Sequence, residues 1–217
     1  MTLAETCGSR LLYSSDQSLL LEFREASDRL LLTLDVIRAA DLPGLVNLHP
    51  AYATILLVFD PVATTHAELA GRLLPLLEHA PERASHGPIR TVEIPVRYGG
   101  TDGPDLDWVA EHHGITPADV VELHSAADYE VRFLGFAPGF AYLSGLPAEL
   151  ATPRLDSPRT VVPAGSVGIA GAQTGVYPAA SPGGWRLIGK TDLRMFDTSR
   201  DPMSLLEPGD RVRFLPI

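Results

Sequence analysis

The sequence predicts an α+β domain over residues 1–87 followed by a mainly-β domain over residues 88–217, and three observations predict it. Residues 1–87 hold only 5 of the 19 prolines and 4 of the 19 glycines. Both residues interrupt regular structure, so the first part should be regular and the second rich in turns. The first part also carries long apolar segments at helical and alternating spacing, whereas the second carries short apolar runs broken by Gly and Pro. Many short strands at such spacing read as a barrel or sandwich. The boundary falls near His86–Pro88.

In the first part, Ser18–Phe23 reads as a strand. Ser27 or Asp28 can cap a helix to about Ala40, with Leu30, Leu31, Leu34, Ile37 and Ala40 inward. Pro43-Gly44 stops it, and Leu45–His49 and Thr54–Asp60 follow as strands. Thr64 or Thr65 can cap a second helix to about His79, which Pro75 should kink or shorten. Arg90–Val96 alternates cleanly as a strand. The resulting β-α-β-β-α-β order is the split ferredoxin-like arrangement, which fixes no activity.

The second part opens with helices. One spans Asp105–His113 and ends at Gly114; Thr116-Pro117-Ala118-Asp119 starts another that ends near His124. Short strands are expected at Tyr129–Phe133, Thr160–Val162, Ser166–Ala170, Trp185–Ile188 and Arg211–Phe214.

Composition excludes several functions. The net charge of -10 disfavours general binding to phosphate backbones or anionic membranes. One cysteine, Cys7, excludes an intrachain disulfide and a multi-cysteine metal site. The seven histidines form neither HxH nor HExxH, and no metal site is expected. Without an apolar run of roughly 18–20 residues or a secretory leader, a soluble, cytoplasmic protein is expected.

Gly184–Thr191, GWRLIGKT, fits G-x-x-x-x-G-K-[ST]. A P-loop needs a buried strand before the motif and a helix after it. Here a turn precedes it and the interior WRLI is strand-like, so a β-strand is expected. Glycine-rich Gly165–Gly171 reads as a strand with close backbone approaches ahead of a ligand loop. His124 ends a helix and is either a proton carrier or a capping or exposed residue. Gly135–Pro147 packs Phe136, Phe140 and Tyr142 among glycines and prolines, which suggests a rigid loop or pocket wall. Pro153-Arg154 and Pro158-Arg159 put cations on constrained backbone, which together suit carboxylate or phosphate, whereas either one taken singly reads first as a solvated loop charge.

The stretches HSAADYEVRFLGFAPGFAYLSGLP (124–147) and TPRLDSPRTVVPAGSVGIAGAQTGVYPAASPGGWRLIGKT (152–191) carry a resemblance, with PAYATILLVFDP, VEIPVRYGG and EPGDRVRFLPI in order around them. The chain resembles the family of the 5-oxoprolinase B-type subunit, also called allophanate hydrolase subunit 1, which includes the KipI inhibitor of a histidine kinase. That family usually has Arg where this chain has Lys190. The resemblance implies a ferredoxin-like domain and a cyclophilin-like β-barrel. It implies partners, the C-type (allophanate hydrolase subunit 2-like) and A-type subunits of 5-oxoprolinase. Together the three open 5-oxoproline to glutamate, with ATP and its accompanying Mg2+ as co-substrate. A KipI-like kinase inhibitor is the alternative, followed by an allophanate hydrolase or a urea carboxylase-type carboxyltransferase subunit.

A lactam is a resonance-stabilised amide and a poor electrophile. Opening it needs cations or amide donors for developing anions and a proton carrier for the ring nitrogen. The candidates for chemistry are His124, Arg159, Tyr142 and Tyr177. The candidates for ligand binding are Phe136, Pro138, Gly139, Phe140, Ser166, Gln173, Gly183, Gly184, Trp185 and Lys190.

Overall fold

The structure, a computed structural model, describes residues 2–6, 8–24, 28–78 and 90–217. Cys7, the cap position Ser27, His79, His86 and the expected boundary lie outside the described residues. The chain divides into two compact units, 1–87 and 88–217.

The first unit is one antiparallel sheet with two helices. Its strands are β1 (Thr2–Thr6), β2 (Ser9–Ser15), β3 (Ser18–Phe23), β4 (Leu45–Pro50) and β5 (Thr54–Phe59), in the order β1-β2-β3-β5-β4. Leu19, Leu21 and Phe23 of β3 and Ile55, Leu57 and Phe59 of β5 are buried, as the two-residue period of a half-buried strand requires. They meet Leu30, Leu34 and Ile37 of α1 (Asp28–Ala39) and Leu69, Leu73 and Leu77 of α2 (His66–Glu78) in one core. At about 1.5–3 kcal/mol per fully buried aliphatic or Phe side chain, this core supplies the main stabilisation of the unit. Thr65 and Glu68 cap α2 reciprocally: the Glu68 N–H donates to Thr65 Oγ1 (3.3 Å), and the Thr65 N–H donates to Glu68 Oε2 (2.9 Å). Pro75 does not shorten α2, which continues to Glu78.

One expected element goes elsewhere. The strand expected over Arg90–Val96 forms as β6 (Thr91–Tyr98), but it pairs within the second unit and not with the first sheet. The place beside β3 is taken by β2, for which the sequence carries no clear strand signal.

The second unit is a closed seven-stranded barrel. Its other strands are β7 (Tyr129–Leu134), β8 (Ala141–Ser144), β10 (Ser166–Ala170), β11 (Gln173–Val176), β13 (Arg186–Lys190) and β14 (Arg211–Pro216). Around the barrel the order is β10-β11-β8-β7-β14-β6-β13, and β6 with β14 is the parallel pair. A separate ribbon joins β9 (Arg159–Val162) to β12 (Ser181–Gly183). Two helices, α3 (Leu106–His113) and α4 (Pro117–Ala126), pack with a 3-10 turn at Ala148–Leu150. The expected cap of α4 forms: the Asp119 N–H donates to Thr116 Oγ1, and the Thr116 N–H donates to Asp119 Oδ2. GWRLIGKT is strand β13 with no helix after it, so it lacks the geometry of a P-loop. No helix among the described residues is long and apolar enough to cross a membrane.

Candidate functional site

Two groups of buried side chains divide the second unit. One fills the barrel and includes Ile94, Val96, Tyr129, Val131, Val167, Ile169, Ile188, Val212 and Phe214. The other gathers Phe140, Val162, Ala170, Tyr177, Trp185 and Leu187, with Ala137 and Tyr142 against them. The sequence candidates distribute unequally between these groups.

The second group brings most of the predicted ligand residues together. Phe140 is its hub, with ring centroids 5.0 Å from Tyr142, 5.3 Å from Tyr177 and 5.4 Å from Trp185. These are edge-to-face contacts, the preferred geometry of aromatic quadrupoles. Phe136 adds its ring 5.3 Å from Phe140 yet stays 61% exposed. Its backbone explains the presentation. Phe136 has φ +66, and the Ala137 N–H donates to the Gly135 carbonyl (2.7 Å). That is a γ-turn with a positive central φ, a strained form that an aromatic residue seldom adopts. Such strain concentrates at ligand and partner sites.

The glycines of the group are required by close approach. Gly139 has φ +82, and a β-carbon there would lie 2.7 Å from Phe196 Cβ. One on Gly183 would lie 2.4 Å from the Tyr177 hydroxyl. Gly184 accepts the Leu155 N–H through its carbonyl (2.8 Å), and Pro138 is exposed at the tip of the loop. Burial raises the phenol pKa values of Tyr142 and Tyr177. Both therefore stay protonated near neutrality and serve as donors rather than bases.

Gln173 stands opposite Ala170 in the β10–β11 register, which puts it on the face of the aromatic group. Its Nε2 is buried and has no hydrogen-bond partner among the described residues. Such a donor costs free energy unless an acceptor arrives.

Arg159 adjoins the group in a bound state. Its guanidinium donates to Asp105 Oδ1 (2.8 Å) and weakly to the Trp185 carbonyl (3.4 Å). In the sequence Asp105 reads only as the start of α3. In the structure its carboxylate makes no cap and accepts the Leu187 N–H at Oδ2 (2.6 Å). Asp105 thus ties α3, β9 and β13 together. Asp105→Ala is expected to destabilise the protein by about 3 kcal/mol, because it strands a buried N–H and an arginine. Chemical denaturation checks this; a change below about 0.5 kcal/mol would mean water replaces the carboxylate.

The structure does not bring His124 to this site. His124 is 0% exposed and lies among the barrel core side chains, its ring 4.6 Å from Phe214 and 5.4 Å from Tyr129. Its neighbours fix the tautomer. Thr174 Oγ1 donates its proton to the Gly168 carbonyl (3.1 Å), so it accepts from His124 Nε2–H (2.9 Å). Nδ1 is then the acceptor of the Tyr98 hydroxyl (2.8 Å). Burial pushes the imidazole pKa down to about 3. With both nitrogens used and no exposure, the ring is a neutral core group without a path to solvent. Ser166 and Lys190 face each other across β10–β13. Ser166 is buried and touches the aromatic group through its carbonyl, which accepts the Tyr177 N–H (2.9 Å). Lys190 is half-buried, its charge near Asp192, and makes no hydrogen bond to the aromatic group among the described residues. Among the described residues no cluster of three potential metal ligands occurs.

A cleft of about 610 Å³ beside α4 shares no residue with the aromatic group; it is lined by Ile115, Leu123, Ala126, Ala127 and Pro147 with Asp119 and Glu122. It gathers none of the polar groups just described.

Fold and sequence together define the class. The chain belongs to the family of the carboxyltransferase domain, subdomain C and D, whose model matches residues 9–206. Within it, the chain is 50% identical over 179 residues to a protein named as the B-type subunit of 5-oxoprolinase from Escherichia coli O157:H7, covering 82% of this chain and 81% of that one. The like-named protein of Bacillus subtilis (strain 168) is 41% identical over 189 residues, covering 81% and 77%. Among solved structures, a conserved uncharacterized protein from Pyrococcus horikoshii is 44% identical with a TM-score of 0.58, covering 95% of this chain and 97% of that one. TTHA0988 is 41% identical with a TM-score of 0.80; the match covers 93% of this chain but only 40% of that longer one. The Kluyveromyces lactis urea amidolyase shares the fold at 20% identity and a TM-score of 0.79.

Proposed function

We propose that this chain is the B-type subunit of an ATP-dependent 5-oxoprolinase that opens 5-oxo-L-proline to L-glutamate, working with subunits of the C and A type in the cytoplasm. The names of its relatives support the reading. The observation that carries it is the aromatic group of Phe136, Phe140, Tyr142, Tyr177 and Trp185 beside the unpartnered Gln173 donor. Aromatic faces suit a small flat ring, and a buried amide donor suits the carbonyl of a lactam.

The chemistry follows from the amide. Transfer of the terminal phosphoryl group from ATP to the lactam oxygen releases ADP and opens the carbon to water. The tetrahedral adduct then breaks its C–N bond, the ring nitrogen leaves as the amine, and the acyl phosphate that remains is hydrolysed to glutamate and phosphate. In this chain Gln173 would orient the oxygen. Protonated Tyr142 or Tyr177 would supply the proton to the ring nitrogen. Arg159, held by Asp105, positions the Trp185 wall. His124 has a structural part, as the buried centre of the barrel network. Because GWRLIGKT is a strand, the nucleotide and its Mg2+ are assigned to the assembled complex and not to that segment. We also read the two units as a variant ferredoxin-like domain and a cyclophilin-like barrel. The β-α-β-β-α run of the first and the closed barrel of the second support this.

The test is ADP and glutamate release by this chain mixed with its A-type and C-type partners, omitting each in turn. Substrate-dependent release that vanishes without this chain is expected. No release from demonstrably associated partners would overturn the reading, and binding to a histidine kinase without the A-type partner would replace it with kinase inhibition.

A further inference from the structure

The arginines around the aromatic group differ in how far protein partners hold them. Arg159 is paired with Asp105, and Arg186 lies over the Trp108 ring at 3.4 Å, with its buried Nε lacking a hydrogen-bond partner among the described residues. Arg154 is exposed and has neither hydrogen bond nor ion pair among the described residues.

Its backbone, in contrast, is fixed on both sides. Thr152 and Gly171 exchange backbone hydrogen bonds (2.7 and 3.2 Å), and the Thr152 hydroxyl donates to the Leu150 carbonyl (2.8 Å). Pro153 then restricts the chain. One residue beyond Arg154, the Leu155 N–H is held by the carbonyl of Gly184, the neighbour of Trp185. An exposed guanidinium is thus carried on a short arm anchored at positions 152 and 155, against the edge of the aromatic group. Its positive charge reaches two phenols there. In Tyr142 and in Tyr177 burial raises the pKa, and Arg154 acts in the opposite direction on both. A rigid backbone and an uncommitted planar fork of donors are the elements of carboxylate recognition.

We propose that Arg154 is the substrate-specificity residue of this site, binding the carboxylate of a small cyclic amide whose ring lies on the aromatic group. This rests on the functional reading above and adds to it the group that distinguishes a lactam acid from a plain lactam. A neutral lactam would leave Arg154 hydrated and gain nothing from it. A lactam acid would pair with it through two N–H donors.

The experiment uses the complete complex of this chain with its A-type and C-type partners, carrying Arg154→Gln or Arg154→Lys. The wild-type complex is assayed first; if it does not turn over 5-oxo-L-proline, the functional reading fails and this inference falls with it. Given turnover, Arg154→Gln is expected to raise KM for 5-oxo-L-proline by about tenfold or more, with kcat changed by less than about threefold. Arg154→Lys should recover part of that loss. KM for ATP should not move, and turnover of pyrrolidin-2-one, which lacks the carboxylate, should be the same in variant and wild type. An unchanged KM for 5-oxo-L-proline would overturn the proposal. So would an equal loss with pyrrolidin-2-one, which indicates a structural effect, or a rise in KM for ATP, which indicates a phosphate. Because Arg154 is exposed, the variants should melt as the wild type does.

Discussion

Phe140→Ala is expected to lower the stability of the second unit by about 3–5 kcal/mol and to abolish turnover by the reconstituted complex. Phe140 is 2% exposed and meets the rings of Phe136, Tyr142, Tyr177 and Trp185. Truncation removes its own burial and leaves four aromatic edges facing a void. The backbone resists collapse, because Gly139 packs against Met195 and Phe196 while the Phe140 N–H and carbonyl are bonded to Ala137 and Gly135. Guanidinium unfolding followed by tryptophan fluorescence measures the loss. Phe140→Leu separates stability from function: it keeps much of the volume, should cost about 1–2 kcal/mol, and still loses the edge-to-face contacts. Full stability in Phe140→Ala would mean that the group repacks and is no rigid platform.

The second large effect is on acid stability. His124 is held neutral by burial, with its pKa pushed down to about 3, against about 6.5 in an unfolded chain. Its folded value is depressed, so its contribution is complete above about pH 6.5. As pH falls from there toward the folded value, the unfolded chain binds a proton that the native ring refuses. Stability should then drop by about 1.4 kcal/mol per pH unit from this residue alone. The lowered carboxyl groups, such as Asp119, Asp128 and Asp192, act only further down, in the carboxylate range. His113, also lowered by burial, adds a slope of the same sign. Unfolding free energies between about pH 7 and pH 5 should show one proton less of slope in His124→Gln than in the wild type. Equal slopes would mean that the wild-type imidazole is charged in the native state.

Local signals in the sequence are legible where they are physically complete. Thr116-Pro117-Ala118-Asp119 contains a whole helix start, and the cap forms as expected. Ser166–Ala170 forms as a strand with the expected bounds. β2 escapes because only Ser9 and Leu11 are fully buried and its second half is exposed, which leaves little alternation to read. β8, β11 and β12 are three or four residues long, too short to show a period. The partner of Arg90–Val96 is not legible, since its neighbours β13 and β14 lie far along the chain. The aromatic group is legible as a dense stretch. What separates Arg159 from Arg154 is not, because Asp105 meets Arg159 only through the fold. His124 looks like a surface helix end because nothing local announces Tyr98 and Thr174 on either side of its ring.

The parallel pairing of β6 with β14 also has a consequence for the order of assembly. The sheet of the first unit joins neighbours, β1 to β2, β2 to β3 and β4 to β5, through short connections. The barrel instead joins residues 91–96 to residues 211–216, and β14 is inserted between β6 and β7. Loop closure over that separation must precede any gain from the contacts. A nascent chain can therefore complete the first sheet while the barrel is still an open set of strands. Until residues 211–216 emerge, β6 and β7 are unpaired edges in the sense that invites association with other chains.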